Sequence, residues 1–203
     1  MDRAASPAPL SPGRPTTLTA GPDMPAGDRI VAAALEELPP AGVILLEGCP
    51  LALGIARALP VGRDYTVVTN AVRTAAVLAH RSDITLLLMG GLCVPGTGAT
   101  SGPADQWGRA LREARVDLAF VSADGVSPGQ GLYVRDPQEA SAKRMMVAAA
   151  RRTVVLADHT RIGRAHLARF AGLADVDCLV TDSGVGPGHL WELRDRVLRL
   201  VVV

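Results

Sequence analysis

Asp124, Glu139 and Lys143 place two carboxylates and an ammonium in one short stretch of sequence. Asp124-Gly125 follows the apolar run Val116–Ala123, and Glu139 precedes Lys143 by four residues. A carboxylate at such a position accepts two hydrogen bonds from a diol, and an ammonium beside it supplies a compact point charge. Acid and base at close quarters are also the parts of a proton-transfer site. Lys143 is the single lysine of the chain, against 20 arginines. The Glu-first i,i+4 spacing is equally that of an ordinary ion pair on a solvated helix face, so spacing alone leaves both readings open. Asp124 has its own plain alternative, an Asx-turn that steadies the loop.

The elements that must position these groups are read from the hydrophobic pattern. Asp28 is expected to cap a helix over Arg29–Leu38, and Val43–Leu46 reads as a buried strand. Pro50 suits the first turn of a helix through Leu59. Tyr65–Thr69 and Ile84–Met89 read as strands on either side of a helix over Ala71–His80. Helices follow over Pro103–Ala114 and Pro137–Arg151, flanking the strand Val116–Ala123. Thr153–Ala157, Cys178–Thr181 and Leu198–Val203 complete the strands, with a helix around His189–Val197. Short apolar runs separated by helices predict an α/β fold: an open, mostly parallel sheet with helices on both faces. Residues 28–203 form this domain. Residues 1–27 hold six prolines and three glycines without periodicity, and are expected to be a disordered tail.

Ligands in such sheets bind beyond the carboxyl ends of the strands. The candidates are therefore Glu47-Gly48-Cys49, Thr69-Asn70, Gly90-Gly91, Asp124-Gly125, the helical pair Glu139 and Lys143, and Asp158 with Arg161. Asn70 doubles as the expected cap of the helix after it. The loop LCVPGTGATSG after Gly91 lacks the GK[ST] ending of a P-loop, which excludes a nucleotide triphosphate cradle. His159 reads as a loop residue, since His80, His166 and His189 complete no catalytic or metal-ligating spacing with it. No cofactor or metal is expected.

Composition narrows the partners. A net charge of +1 gives no basic footprint for nucleic acid, and 3% aromatic content leaves no base-stacking platform. Three widely spaced cysteines, Cys49, Cys93 and Cys178, suit neither a disulfide framework nor zinc, and imply a reducing cytoplasm. The apolar runs are strand length, far short of a membrane span, and no secretory h-region is present.

Taken in order, several strand ends resemble one family. TVVTNA (66–71), MGG (89–91), SADG (122–125), EASAKR (139–144), VVLADHTRIGR (154–164) and LVTD (179–182) are similar to the C-terminal effector domain of DeoR-type transcriptional regulators. The resemblance spans residues 28–203. It implies a fold shared with ribose-5-phosphate isomerase and CoA transferases, and binding of a phosphorylated sugar or similar small anion. It implies a regulator of carbohydrate metabolism that forms a homo-oligomer, in which the ligand modulates DNA binding by an N-terminal winged helix-turn-helix. Residues 1–27 are too short and proline-rich for that module, so no direct DNA binding is expected of this chain.

In that family the loop matching Glu47-Gly48-Cys49-Pro50 is Asp-x-Gly-Thr-Thr, a phosphate cradle at a helix N-terminus. Cys49 and Pro50 replace its hydroxyls, which points to weaker anion binding or a different ligand. Arg161 stands where the family typically has a lysine near the phosphate, a change that keeps an anion partner. Two other functions compete with a sensor: a phosphopentose isomerase using Asp124, Glu139 and Lys143, and a degenerate regulator acting only through protein association.

Overall fold

A computed structural model of the chain describes residues 24–203. Seven parallel strands form the central sheet: β1 (Gly42–Leu46), β2 (Tyr65–Thr69), β3 (Ile84–Leu88), β6 (Leu118–Ser122), β9 (Arg152–Leu156), β11 (Cys178–Thr181) and β12 (Leu200–Val202). Their spatial order is β12-β11-β9-β6-β1-β2-β3. The order runs outward in both directions from β1, so the direction of winding reverses between β1 and β6. That crevice is the topological switch point where an open α/β sheet binds ligands.

Side chains alternate across each strand and build two cores. Ile44, Leu46, Val67, Phe120, Val154 and Val180 pack on one face against α1 (Ala26–Leu35), α2 (Pro50–Ala58) and α3 (Val72–Leu78). Leu45, Val68, Val121, Val155 and Leu179 pack on the other against α4 (Ala104–Ala114), α5 (Pro137–Ala149) and α6 (Pro187–Arg194). The open parallel sheet with helices on both faces is thus the expected one. Not every strand is buried on both faces, however. β3 lies at the sheet edge, and its Leu87 and Leu88 are exposed.

Several boundaries differ from the sequence expectation. α1 begins at Ala26 with Pro25 as its cap, so Asp28 sits in the first turn, where a carboxylate complements the helix dipole. Ala26 and Gly27 therefore belong to the fold, while the tail expected over 1–27 otherwise lies, up to residue 23, outside the described residues. Five short strands were not anticipated. β4 (Leu92–Cys93) and β5 (Thr100–Ser101) form a hairpin, and β7 (Gly125–Ser127), β8 (Gly131–Val134) and β10 (Ala168–Ala171) form a separate antiparallel sheet in the order β10-β8-β7. This small sheet packs against α5.

Candidate functional site

Glu47 and Ser122 meet at the switch point because β1 and β6 run side by side, with Leu46 opposite Phe120. The Ser122 backbone N–H and hydroxyl both donate to Glu47 Oε2, at 3.1 and 2.9 Å. Lys143 reaches the same point from α5, a helix started by Pro137 and capped by Asp136, which accepts from Gln138 N–H at 2.8 Å. Its Nζ donates to Ser122 O at 2.8 Å and Ser122 Oγ at 3.1 Å. It lies 3.1 Å from Glu47 Oε2 and 3.2 Å from Glu139 Oε1. The Phe170 ring of β10 stands 5.7 Å from it.

Lys143 is 1% exposed and Glu47 4%. Burial opposes the ammonium, but the carboxylates of Glu47 and Glu139 outweigh it and hold Lys143 above the ordinary lysine range. Burial pushes the Glu139 carboxyl up, against the pull of Lys143. An ion pair this deep costs desolvation and is sustained by its geometry, here four oxygens around one ammonium. The solvated-face reading of Glu139 and Lys143 therefore fails, because the pair turns inward to a third partner that lies far away in sequence.

The opposite wall is the turn into α2. Gly48 N–H donates to Asn70 Oδ1 at 2.9 Å, and a Cβ at Gly48 would sit 2.8 Å from that of Ala99. The Cys49 sulfur caps α2 by accepting from Ala52 N–H at 3.3 Å. Burial, reinforced by Glu47, pushes the Cys49 thiol up to about 12, so it stays neutral and unreactive near neutral pH. Two groups of the expected anion cradle are thus already engaged within the protein. Asn70 is not the cap of α3; Ala71 holds that position, and the Asn70 amide instead ties Gly48 to Thr100 O. Thr69 Oγ1 is consumed by Leu46 O at 2.6 Å and Ala71 N–H at 3.1 Å.

At the mouth, Arg161 Nη1 donates to Asp124 Oδ1 at 2.9 Å, and Arg161 Nε lies 3.8 Å from Asp158 Oδ2. Asp124 Oδ2 accepts from Arg135 N–H at 3.3 Å. Asp158 caps the 3₁₀ turn His159–Arg161 by accepting from Thr160 N–H at 2.9 Å and from the Thr160 hydroxyl. His159 is more than a loop residue: its Nδ1 is 2.7 Å from Asp182 Oδ2.

These groups enclose a cleft of about 680 Å³ lined by Glu47, Gly48, Cys49, Asp124, Glu139, Asp158 and Arg161 among the expected candidates. A smaller cavity of about 110 Å³ adjoins it, shares Glu47, Gly48 and Glu139, and adds Asn70 and Lys143. Thr69, Gly90, Gly91 and Gly125 line neither cavity. Gly90 O accepts from Trp107 Nε1 at 2.9 Å. Gly91 has φ 142°, and a Cβ there would fall 2.2 Å from Ser101 O. Gly125 packs on Arg164 O in the same way, 2.6 Å from a Cβ. Gly91 and Gly125 thus permit close backbone approach, whereas a Cβ at Gly90 would meet nothing within 4 Å.

The sequence reading did not single out Ser122, Arg73 or Thr74 and set His159 aside as a loop residue, yet all four line the cleft. Ser122 stood in the quoted SADG motif, so its place just before Asp124 was a usable signal. Thr74 and Arg73 gave none, being ordinary first-turn positions of a helix. Thr74 is buried, and its hydroxyl has no hydrogen-bond partner among the described residues. Among the described residues no cluster of three or more His, Cys, Asp or Glu is arranged to hold a metal, and no helix is long and apolar enough to cross a membrane.

A family model for the DeoR C-terminal sensor domain matches residues 26–183. The uncharacterized HTH-type transcriptional regulator YulB of Bacillus subtilis is 28% identical over 160 residues, which cover 79% of this chain and 61% of that protein. The HTH-type transcriptional regulator GlpR of Haloferax volcanii is 30% identical over 176 residues, covering 86% of this chain and 68% of that one. The chain thus spans roughly three fifths to two thirds of the length of these relatives. Among solved structures, ribose 5-phosphate isomerase A from Methanocaldococcus jannaschii is similar at 17% identity and a TM-score of 0.47, over 67% of this chain and 53% of that one.

Proposed function

The chain belongs to the DeoR C-terminal sensor domain family, and on that footing we propose that its cleft binds a phosphorylated sugar or a closely related small anion as an effector. The observation that carries this reading is the Glu47–Ser122–Lys143–Glu139 network, a buried polar cluster opening onto a cleft at the switch point. Fixed carboxylates there accept hydroxyl hydrogen bonds from a polyol, and their order costs nothing further on binding. The anionic end goes to the mouth, where Arg161 and Arg73 line the cleft and the N-terminal end of α2 faces it. With Gly48 and Cys49 engaged internally, the arginines carry most of the anion recognition.

In this reading occupancy is relayed, within a homo-oligomer, to a DNA-reading module of the helix-turn-helix type, and the genes controlled serve carbohydrate metabolism. Isomerase chemistry is disfavoured by the same geometry. Asp124 is neutralised by Arg161, and Lys143 is held by four oxygens, an arrangement for rigid binding rather than proton shuttling.

Thermal unfolding across a panel of pentose, hexose and triose phosphates, each beside its unphosphorylated form, tests the proposal. A ligand at about 100 times its Kd stabilises the fold by about 2.7 kcal/mol, which is a shift of roughly 5–10 °C for a domain of this size. Shifts by phosphorylated members alone support it, and a panel without any shift overturns it.

A further inference from the structure

We propose that His159, oriented by Asp182, is a specificity-determining contact that donates its Nε2–H to the anionic end of the effector. This rests on the reading of the cleft as an effector site and adds to it a residue pair drawn from two strand ends. His159 opens the turn after β9, and Asp182 follows β11, the neighbouring strand. Asp182 is 2% exposed and holds His159 twice, through the backbone N–H on Oδ1 and through the ring on Oδ2, both at 2.7 Å. Gly184 N–H adds a third bond to Oδ2 at 3.1 Å. Gly184 also packs so closely that a Cβ there would fall 2.5 Å from the ring carbon of His159. The ring is therefore fixed along its Nδ1 edge, and His159 is one of the residues that line the cleft.

A carboxylate on Nδ1 makes that nitrogen the donor, which leaves Nε2 as the free polar atom of the ring. The charge balance of the cleft decides what Nε2 does. Glu47, Asp124, Glu139 and Asp158 line it against Arg73 and Arg161, with Lys143 behind them already committed to Glu47 and Glu139 and Arg161 already shared between Asp124 and Asp158, so acid exceeds base by one charge. A phosphoryl group entering this surplus of acid needs a further cation. An imidazolium, with Asp182 behind it, supplies that charge together with a directed donor, and a ring that is neutral before binding takes up a proton as the phosphoryl group arrives.

The test is calorimetric titration of the full chain with the panel sugar phosphate that gives the largest thermal shift, and with its unphosphorylated form, at pH 6 and pH 8. Each is run in two buffers of different ionisation heat. Phosphate itself titrates in this range, so wild type is read against His159→Gln, which removes the imidazole from a position 44% exposed. Wild type is expected to take up a proton at pH 8 and to favour the sugar phosphate at pH 6 by about 3- to 10-fold more than His159→Gln does. Asp182→Asn is expected to lose the same advantage. Identical pH profiles and proton uptake in wild type and His159→Gln, with sugar phosphate still bound, overturn this inference and leave the proposed function standing. Failure of every panel member to bind overturns both.

Discussion

Lys143 Nζ lies 3.1 Å from Glu47 Oε2, joining the middle of α5 to the end of β1 across the hydroxyl and carbonyl of Ser122. Removing one partner leaves the other charge buried and uncompensated. Lys143→Met is therefore expected to destabilise the domain by about 3–5 kcal/mol, and Glu47→Gln/Lys143→Met together by clearly less than the sum of the two single changes. Urea unfolding of the three variants checks this. Additive losses would mean that the pair is not coupled.

Thr74→Val tests the cleft wall. The Thr74 hydroxyl is buried without a partner among the described residues, so replacing it with a methyl group is expected to leave the ligand-free protein unchanged or up to about 1 kcal/mol more stable. If the hydroxyl is reserved for the effector, the same variant binds the sugar phosphate several-fold more weakly. Paired thermal melts, with and without ligand, separate the two effects.

Alkaline pH should weaken the fold in a defined window. Burial raises both Cys49, to about 12, and Cys178, to about 11, from an unfolded value near 9. Above pH 9 the unfolded chain releases these protons first, so it binds fewer than the folded one and stability falls as pH rises. Each thiol contributes at most about 1.4 kcal/mol per pH unit. Cys49→Ser keeps a capping side chain and loses the titration, so its stability should fall less steeply between pH 9 and 10. Parallel slopes in the two proteins would contradict the assignment. Lys143, also held above its ordinary value, acts in the same direction at higher pH, since its pairing is lost as pH rises through its folded value.

The parallel sheet was legible because its strands are short apolar runs, and periodicity reports such burial directly. The antiparallel strands β7, β8 and β10 were not, since GVS, GLYV and ARFA are too short to show an alternation. The site divides the same way. Glu139 and Lys143 announced themselves by local spacing, whereas Glu47 as their third partner depends on β1 lying beside β6, which no window of sequence contains. The pairing of His159 with Asp182 has the same origin in the adjacency of β9 and β11. Gly90, Gly91 and Gly125 were picked out by their place at strand ends, and tight packing at Gly91 and Gly125 is a structural reason for glycine at those two.

Gly91→Ala follows from that point. Its φ of 142° and a Cβ position 2.2 Å from Ser101 O force the end of β5 away from the start of β4. A loss of about 2–4 kcal/mol is expected from strain and clash together, with effector affinity little changed in the folded fraction. A stable variant that no longer binds would instead return Gly91 to the site.

Mapping the bound effector is the most direct measurement. Amide chemical shifts of the labelled chain, followed during titration with the sugar phosphate that most raises its Tm, should move first and furthest in residues 47–53, 122–124 and 158–161. These are the segments that converge on the β1–β6 switch point. Saturable shifts confined to that set are the predicted result, and shifts centred elsewhere, with Glu47, Ser122 and Asp124 silent, would contradict the account.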